Sequence, residues 1–375
     1  MGFAKLRYFY LVKSKVGYIC GTDSWGGLEM NQLRNAIWMH ERGHSVYVIC
    51  LKGSPIAKNA DEAGIPTISI QKHRKYFDFK RGKELATILQ QHQITHLLVR
   101  AIHDMSIAVI AKRKVKSLHL SYFMEMQLGV KKTNFLHTLR FSYFDLWACP
   151  LNWLSDQVKT MTRFNHAKLK VIPSGLDLRQ FEKELGKTDA RQQLELPSDC
   201  ILFGLIGRFD RHKGQLLLLE ALQKCQNKAI GIVLLGEPTR NEGSGYADQM
   251  NAFIEEHQLS DRVFVRPFRK DIDVFYKAVD WFVMASKAET FGMVTIEAMA
   301  CGTPTLGSNA GGTPEILHFG ELGVLFESLN ATDLAAKMDE ITLGKHAIDR
   351  KKLIQAAQLF DHNKVCEQVE NALGI

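Results

Sequence analysis

Residues 201–235 read ILFGLIGRFDRHKGQLLLLEALQKCQNKAIGIVLL, and this stretch decides the fold class. The apolar run ILFGLIG suits a buried strand, QLLLLEALQKC suits a helix, and AIGIVLL suits a second strand. Two strands joined through a helix form a parallel β-α-β unit. The charged loop between the first strand and the helix falls at the carboxyl end of a strand, where open parallel sheets bind their ligands.

The same alternation extends in both directions. Toward the C-terminus, the strands RVFVRPF, DWFVMAS and TPTLG alternate with the helices YADQMNAFIEEHQL, DIDVFYKAV and GMVTIEAMAC. Toward the N-terminus, residues 7–14 suit a first strand and residues 28–42 suit a helix that stops at Gly43 before the strand SVYVICL. The sequence therefore predicts an α/β protein with two doubly wound parallel sheets.

A change in charge supports a division into two domains. The 375-residue chain exceeds the size at which a single core usually stops growing. Residues 1–175 contain 26 Lys and Arg against 11 Asp and Glu, whereas the remainder contains 22 against 29. We expect an N-terminal domain over 1–175 and a C-terminal domain over 176–350, with a final helix at 351–375 that packs on either one.

The sequence favours a cytoplasmic protein. No apolar run approaches the roughly 18 residues of a membrane span, and basic residues interrupt the apolar N-terminus, so neither a spanning helix nor a secretion signal is expected. The seven cysteines are scattered without a C-x-x-C pair, which is typical of reduced core residues.

Basic clusters mark the N-terminal half. They lie at 72–83 (KHRKYFDFKRGK), 112–116 (KRKVK) and 131–132. Such clusters favour an anionic partner, such as the inner face of a membrane or a phosphorylated acceptor, or they form a solvated basic face. No nucleic-acid recognition motif accompanies them, so nucleic acid is not an expected partner.

Two loops that follow strands carry groups suited to phosphate. The segment 21–27 (GTDSWGG) has glycines that let backbone N–H groups approach a phosphate at a helix N-terminus, although a glycine pair is also common in plain turns. In the segment 207–214 (GRFDRHKG), Arg208 and Lys213 offer a guanidinium fork and an ammonium to a diphosphate; the alternative is a solvated charged loop.

Two further loops lie later in the chain. In residues 289–302 (ETFGMVTIEAMACG), Glu289 lies in a loop and Glu297 about two helical turns away, so that one carboxylate is suited to sugar hydroxyls and the other to ribose hydroxyls. Residues 308–315 (SNAGGTPE) form another glycine-rich turn before a helix.

In this order, the four loops resemble the large family 4 of retaining glycosyltransferases, the glycogen synthase and group 1 type. The resemblance covers nearly the whole chain, and the E-x7-E element inside ETFGMVTIEAMACGTP is its most specific part. It implies the GT-B fold, in which two Rossmann-like domains face an interdomain cleft. It also implies that the N-terminal domain, 1–175, binds the acceptor and that the C-terminal domain, 176–350, binds the donor. The matching residues are Gly26-Gly27 with Glu29, VIPSGLD at 171–177, Gly207 to Gly214, Glu289 with Glu297, and Gly302-Thr303-Pro304.

The resemblance also implies residue roles. Glu289, Arg208 and Lys213 would be the catalytic residues, and the leaving phosphate itself would help accept the acceptor's proton, so that neither a metal nor a cofactor is needed. The one D-x-D, 271–273, opens a helix, where carboxylates serve as caps. The donor, UDP- or GDP-linked, would be bound by Gly26, Gly27, Phe268, Arg269, Phe291, Gly292, Met293, Val294 and Glu297.

The acceptor side is the least defined part of the sequence. Family members often carry a functional histidine after a middle strand of the N-domain, and the candidates here are His103 and His119, although Glu125 occupies the strand end that follows His119. The segment 122–147 is aromatic and basic, which suits either an acceptor pocket or, through its helical spacing at 135–144, the core.

The sequence therefore predicts a retaining, metal-independent hexosyltransferase acting on a glycan or lipid-linked acceptor in cell-surface polysaccharide or lipopolysaccharide biosynthesis. The alternatives are a nucleotide-sugar epimerase or hydrolase of the same fold and a non-catalytic nucleotide-sugar-binding protein.

Overall fold

The computed structural model describes residues 14–238 and 245–375, which alternate between strands and helices throughout. The first described strand is Lys15–Cys20, which ends directly before Gly21. Apart from Ser14, which lies outside this strand, the strand predicted at 7–14 falls outside the described residues. The predicted glycine-rich loop therefore follows a strand as expected.

One parallel sheet of seven strands forms the N-terminal part of the chain, in the order β3-β2-β1-β4-β5-β6-β7. Its strands are short, and all except the edge strands β3 and β7 are almost continuously buried, as expected for a sheet covered on both faces. They are β1 (Lys15–Cys20), β2 (Ser45–Leu51), β3 (Thr67–Ile70), β4 (His96–Val99), β5 (His119–Phe123), β6 (Leu146–Cys149) and β7 (Leu169–Val171).

Helices connect these strands, and several begin at side-chain caps. Asp78 and Asn134 accept hydrogen bonds from backbone N–H groups of α3 and α5, which fixes where each helix starts. The helices are α1 (Gly27–Glu41), α2 (Pro55–Glu62), α3 (Phe79–Gln91), α4 (Met105–Lys114), α5 (Phe135–Ser142) and α6 (Asn152–Met161).

A second parallel sheet of six strands has the order β10-β9-β8-β11-β12-β13. The predicted strand-helix alternation is confirmed here. The strands are β8 (Ile201–Ile206), β9 (Ile230–Leu235), β10 (Val263–Arg266), β11 (Trp281–Met284), β12 (Thr305–Ser308) and β13 (Gly323–Phe326). The helices are α7 (Lys187–Gln193), α8 (Gln215–Lys224), α9 (Gly245–Glu256), α10 (Ile272–Ala278), α11 (Met293–Ala300), α12 (Thr313–Ile316) and α13 (Ala331–Thr342).

The last predicted helix is two helices in the structure. These are α14 (Arg350–Ala357) and α15 (His362–Leu373), with a short 3-10 turn between them. At Asp361 the backbone turns extended, and its carboxylate accepts a hydrogen bond of 3.0 Å from the N–H of Asn363. An aspartate that caps the next helix therefore ends the run that apolar spacing alone predicted to be continuous.

The chain forms two compact units. The N-terminal unit comprises the residues up to Pro150, Ser155–Ile172 and Cys366–Ile375, and the C-terminal unit comprises Leu151–Leu154 and Pro173–Val365. The assignment of an acceptor domain to 1–175 and a donor domain to 176–350 stays a prediction. None of the helices within the described ranges has the length and hydrophobicity needed to cross a membrane.

Candidate functional site

The order of the C-terminal sheet brings two of the predicted loops together. Strand β8 lies beside β9 on one side and β11 on the other, so the strand order reverses between β8 and β11. Ligands of open parallel sheets bind at such a switch point, beyond the carboxyl ends of the strands. The two loops that begin there are 207–214 and 285–292, which contain the predicted catalytic residues.

Lys213 and Glu289 form an ion pair at this point. The Lys213 Nζ lies 3.0 Å from the Glu289 Oε2, and both side chains are partly exposed. Arg208 is exposed, and no carboxylate in the described ranges forms an ion pair with it. The structure thus places the three predicted catalytic residues on two adjacent loops, with one cation paired and the other available to an anion.

A glycine permits the close approach of these loops. Gly214 has a φ of +83°, and a Cβ there would lie 2.3 Å from the carbonyl oxygen of Ala285. Only glycine avoids both the steric penalty of this conformation and the clash. The end of the Lys213 loop is therefore packed against the end of β11.

The fourth predicted loop supports the Glu289 backbone. The Gly312 N–H donates a 2.8 Å hydrogen bond to the Glu289 carbonyl oxygen, and a β-bridge joins Glu289 to Gly311. Gly311 has a φ of +64°, and a Cβ on it would lie 2.3 Å from the same carbonyl oxygen. The predicted glycine pair at 311–312 thus packs against the loop that contains Glu289, within the same unit.

Helix α11 begins at the same loop. Gly292 caps it in a left-handed conformation, so the first backbone N–H groups of the helix, at Met293 and Val294, lie at its positive end, which favours anions. The Phe291 ring is buried in the core, 5.8 Å from the ring of Phe360. In this segment the backbone, and not the phenyl ring, is thus available for the predicted donor contacts.

Glu297 lies deeper in α11 and is 9% exposed. Its Oε2 accepts a 2.8 Å hydrogen bond from the Tyr276 hydroxyl. Burial, and then the neighbouring Glu297 carboxylate, raises the pKa of Tyr276 well above its ordinary value, so the tyrosine stays protonated as the donor. Sequence reasoning missed Tyr276, because its partner lies 21 residues further along the chain.

Phe268 and Arg269 line a separate cavity of about 470 Å³ after β10, together with residues 193–195. Phe268 is 58% exposed, and Arg269 pairs with Asp271, its Nη2 lying 2.6 Å from the Oδ2. An exposed aromatic ring at a strand end suits stacking on the planar base of a nucleotide, which fits the donor-binding role predicted for Phe268.

In the N-terminal sheet the order reverses between β1 and β4. The loop after β1 contains Gly26 and Gly27, which precede α1. The Gly26 N–H donates to the Glu29 carboxylate at 3.0 Å, and the Thr22 hydroxyl donates to the other oxygen of Glu29 at 3.1 Å. A phosphate that contacts the Gly26 amide would therefore have to displace the Glu29 carboxylate.

A buried cluster lies at the same switch point. The Gly21 N–H donates to Asp104 Oδ2 at 3.1 Å, and His73 Nε2 lies 2.9 Å from Asp104 Oδ1. Burial opposes the charged form of His73, but the hydrogen bond with Asp104 raises its pKa overall. The ring of His103, a predicted acceptor-side residue, lies 4.5 Å from the His73 ring.

Sequence reasoning missed Asp104 and His73. Each lies a few residues after the end of a strand, which is a signal that the sequence contains. However, the two strands, β3 and β4, are separated in the sheet by β2 and β1, so the contact between His73 and Asp104 follows only from the folded structure.

The other acceptor-side candidates lie at opposite ends of β5. Glu125, two residues after the strand, forms an ion pair with Arg100 and accepts a 3.0 Å hydrogen bond from Asn31. Burial raises its pKa, and Arg100 opposes that shift. His119 is the first residue of β5, and its ring lies 5.2 Å from that of His96 at the amino-terminal edge of the sheet. The structure thus brings His103 and Glu125 to the carboxyl edge and leaves His119 at the other.

Two family profiles match the chain in succession. The profile described as "Glycosyltransferase Family 4" matches residues 25–180, and the profile described as "Glycosyl transferases group 1" matches residues 186–360. Each profile covers one of the two predicted domains, and together they cover nearly all of the described chain.

Curated relatives match over about half of their own length. The chain is 29% identical over 210 residues to a D-inositol 3-phosphate glycosyltransferase of Mycobacterium sp. (strain KMS), covering 55% of this chain and 46% of the relative. It is 31% identical over 211 residues to the protein of the same description from Mycobacterium leprae, covering 54% and 48%. The chain thus spans about half the length of the curated relatives it matches.

Solved structures match the fold over nearly the whole chain. HepE of Anabaena in complex with UDP has a TM-score of 0.85 at 20% identity, covering 96% of this chain and 99% of that one. A glycosyltransferase from Rickettsia africae has a TM-score of 0.82 at 19% identity, with 96% and 98% covered. The lipopolysaccharide outer core galactosyltransferase WaaB has a TM-score of 0.75 at 15% identity, with 96% and 99% covered. At these identities the likeness establishes the fold, and the predicted GT-B fold is confirmed.

Proposed function

Because the chain belongs to glycosyltransferase family 4, we propose that it is a retaining glycosyltransferase that takes a sugar from a nucleotide-diphosphate sugar. Its acceptor is a glycan or a lipid-linked molecule. The observation that carries this proposal is the placement of Arg208, Lys213 and Glu289 on adjacent loops at the switch point of the C-terminal sheet.

The two cations stabilise the charge that develops on the leaving diphosphate. Arg208 provides a planar fork for two phosphate oxygens, and Lys213 provides a point charge. Fixed positive groups aimed at developing negative charge are a major source of rate enhancement. The first amides of α11 add the positive end of a helix to the same loop region.

Glu289 and Glu297 bind the sugar and the ribose of the donor. When the diphosphate binds Lys213, the Glu289 carboxylate exchanges its ammonium partner for hydroxyls of the donor sugar. Glu297, oriented by the Tyr276 hydroxyl, accepts hydrogen bonds from the ribose. The acceptor attacks from the face that the diphosphate leaves, and a phosphate oxygen takes the acceptor's proton, so the anomeric configuration is retained and no metal takes part.

UDP is the nucleotide that we propose first. The HepE structures contain UDP, UDP with glucose, and UDP-glucose. GDP is the second candidate, and the cavity beside Phe268 receives the base in either case.

The basic N-terminal unit supports an anionic acceptor. Its excess of Lys and Arg suits a lipid-linked substrate at the inner face of a membrane. We place the enzyme in the cytoplasm, in the synthesis of a cell-surface polysaccharide or lipopolysaccharide, and the similarity to WaaB supports this pathway.

Thermal shift with UDP, GDP, ADP and their sugar conjugates tests the donor. A ligand at about 100 times its dissociation constant adds about 2.7 kcal/mol of stability. One nucleotide should stabilise the parent protein and fail to stabilise Arg208→Ala. Arg211→Ala, in the same loop, is the matched control and should behave as the parent. Equal stabilisation of all three proteins would show that Arg208 does not bind the nucleotide.

Product analysis separates transfer from the alternatives. NMR of the product should show the anomeric configuration of the donor on a new glycosidic bond. Free sugar without transfer would favour a hydrolase, a changed sugar nucleotide would favour an epimerase, and nucleotide binding without turnover would favour a non-catalytic binder.

A further inference from the structure

An apolar groove lies on the N-terminal unit, between the loop before α3 and the helices α4 and α5. Its volume is about 340 Å³. Phe77 and Leu136 on its walls are 66% and 59% exposed. Large apolar side chains that are exposed to solvent and clustered around one groove are typical of a binding surface. The apolar walls comprise Tyr76, Phe77, Phe79, Val109, Leu136 and Leu139.

The apolar residues of α5 serve both this groove and the core, since Phe141 of the same helix is buried against Trp147. Leu136 and Leu139 are exposed, whereas Phe144, which follows the helix, is fully buried. Of the two interpretations that the sequence left open for this segment, the pocket applies to Leu136 and Leu139, and the core applies to Phe144.

Arg140 lies in the same groove and is 9% exposed. Its Nη2 lies 3.0 Å from His137 Nδ1 and its Nη1 lies 3.5 Å from Ser106 Oγ, while its Nε is buried without a hydrogen-bond partner. Within the described ranges no carboxylate forms an ion pair with Arg140. A buried guanidinium without an anion is unfavourable, so the site is suited to receiving one.

Other cations surround Arg140. Burial lowers the pKa of Lys132, and the charges of Arg140 and Lys75 lower it further. Burial also lowers the pKa of His137, with Arg140 and Lys132 acting in the same direction. The carboxylate of the adjoining loop, Asp78, is bound by backbone N–H groups and does not neutralise this cluster. The groove thus combines an apolar wall with uncompensated positive charge.

We propose that this groove binds the acceptor of the reaction as a lipid phosphate, with the hydrocarbon chain between Phe77 and Leu136 and the phosphate against Arg140 and Lys132. The proposal rests on the proposed function, because it names the acceptor class of the same enzyme. A groove of this volume suits one hydrocarbon chain, whereas a bilayer surface is contacted by a flatter patch.

The position of the groove within its unit fits this role. The loop that provides Tyr76 and Phe77 also contains His73, which is hydrogen-bonded to Asp104 at the carboxyl edge of the N-terminal sheet. A lipid phosphate in the groove therefore lies next to the loop cluster where ligands of such sheets bind.

Calorimetric titration of the full chain with decyl phosphate tests the proposal. Decyl phosphate should bind, and inorganic phosphate and decanol should bind far more weakly. Arg140→Gln should lower the affinity by about tenfold or more, because a charge-assisted hydrogen bond is lost. Leu136→Ala, an exposed position that folding tolerates, should lower it by about fivefold. Leu343→Ala, an exposed leucine on the C-terminal unit, is the matched control and should leave the affinity unchanged.

The proposal would be overturned if Arg140→Gln and Leu136→Ala bound decyl phosphate as tightly as the control Leu343→Ala. It would also be overturned if the parent protein bound decanol or inorganic phosphate as tightly as decyl phosphate. Vesicles containing phosphatidylglycerol should sediment the parent protein and Arg140→Gln to the same extent. If Arg140→Gln lost vesicle binding together with decyl phosphate binding, the groove would be assigned to bilayer lipid. UDP stabilisation is measured on the same proteins. If UDP fails to stabilise the parent, the donor proposal fails, while the decyl phosphate titrations still decide the groove.

Discussion

At the scale of single residues, the C-terminal site contains one ion pair that is already formed before the donor binds, beside the cation of Arg208, which has no ion-pair partner in the described part of the chain. The Lys213 ammonium and the Glu289 carboxylate satisfy each other at 3.0 Å, and both remain partly exposed. A partly exposed pair of this kind contributes little to stability, typically below about 1 kcal/mol. Its two members are thus available for exchange with ligand groups at small cost.

Lys213→Ala should lower kcat/KM by about a hundredfold or more, because a fixed positive charge beside the leaving diphosphate is lost. The melting temperature should change little. Lys224→Ala, an exposed lysine at the end of α8, is the control. A near-normal rate in Lys213→Ala would contradict the phosphate role.

Tyr276→Phe should raise the KM for the donor by about tenfold with little change in kcat. The hydroxyl that orients Glu297 is lost, and a hydrogen bond to a charged group contributes about 1.5–3 kcal/mol. An interaction equally strong in the ground and transition states appears in KM alone. Steady-state kinetics check this, with Tyr47→Phe in β2 as the control. A lower melting temperature with an unchanged KM would indicate a purely structural role.

At the scale of elements, the glycines of the loops decide how closely strand ends approach one another. Gly311 lies in a left-handed conformation against the Glu289 carbonyl, so the third and fourth predicted loops form one structural element. The sequence showed each loop as a separate glycine-rich turn. Their contact depends on the backbone conformation of one residue, which a residue pattern does not specify.

Gly311→Ala should reduce activity by at least about tenfold, because its Cβ pushes the Glu289 loop out of place. Gly344 has a similar φ of +72° but open space around it. Gly344→Ala therefore carries the same conformational penalty without the clash and should retain activity. Comparable activity loss in both variants, measured as initial rates, would show that backbone strain and not the position of Glu289 is responsible.

The sequence predicted the strand-helix alternation well, because buried parallel strands and amphipathic helices differ in period. It also predicted the loops that contain Arg208, Lys213 and Glu289. It did not predict the His73–Asp104 pair or the Tyr276–Glu297 pair, since each depends on which strands and helices become neighbours. The break at Asp361 was missed because the apolar spacing continues through it.

At the scale of the whole molecule, the two sheets are built alike but differ in charge and in what completes them. Residues 366–375, which include most of α15, belong to the N-terminal unit. Within this segment, Glu370 forms an ion pair with Arg42, which follows α1. The Arg42 Nη2 lies 2.7 Å from Glu370 Oε2, and His44 Nε2 lies 2.9 Å from the other oxygen. These contacts fasten the C-terminal segment to the N-terminal unit.

Glu370→Gln should lower the melting temperature at neutral pH, with a loss of about 1 kcal/mol for a partly exposed pair. The hydrogen bond from Arg42 lowers the pKa of Glu370 below its ordinary value of 4.5. The stabilisation is therefore fully present above pH 4.5 and is lost as the pH falls through the lower pKa of the folded state.

Thermal unfolding from pH 7 to pH 3 checks this prediction. The difference between parent and Glu370→Gln should be constant at neutral pH and shrink only below pH 4.5. Glu367→Gln, an exposed position on the same helix, is the control. A difference between parent and Glu370→Gln that persists unchanged to pH 3 would exclude the ion pair as its source.

The contribution of residues 366–375 to the N-terminal unit has a consequence for biosynthesis. During translation, the continuous segment 173–365 of the C-terminal unit emerges before the segment that completes the N-terminal unit. The N-terminal sheet must therefore wait, with the surface that later meets α15 uncovered, until residues 366–375 leave the ribosome. A nascent chain stalled before residue 366 should thus be a better chaperone substrate than the released protein, even though most of its N-terminal unit was made first.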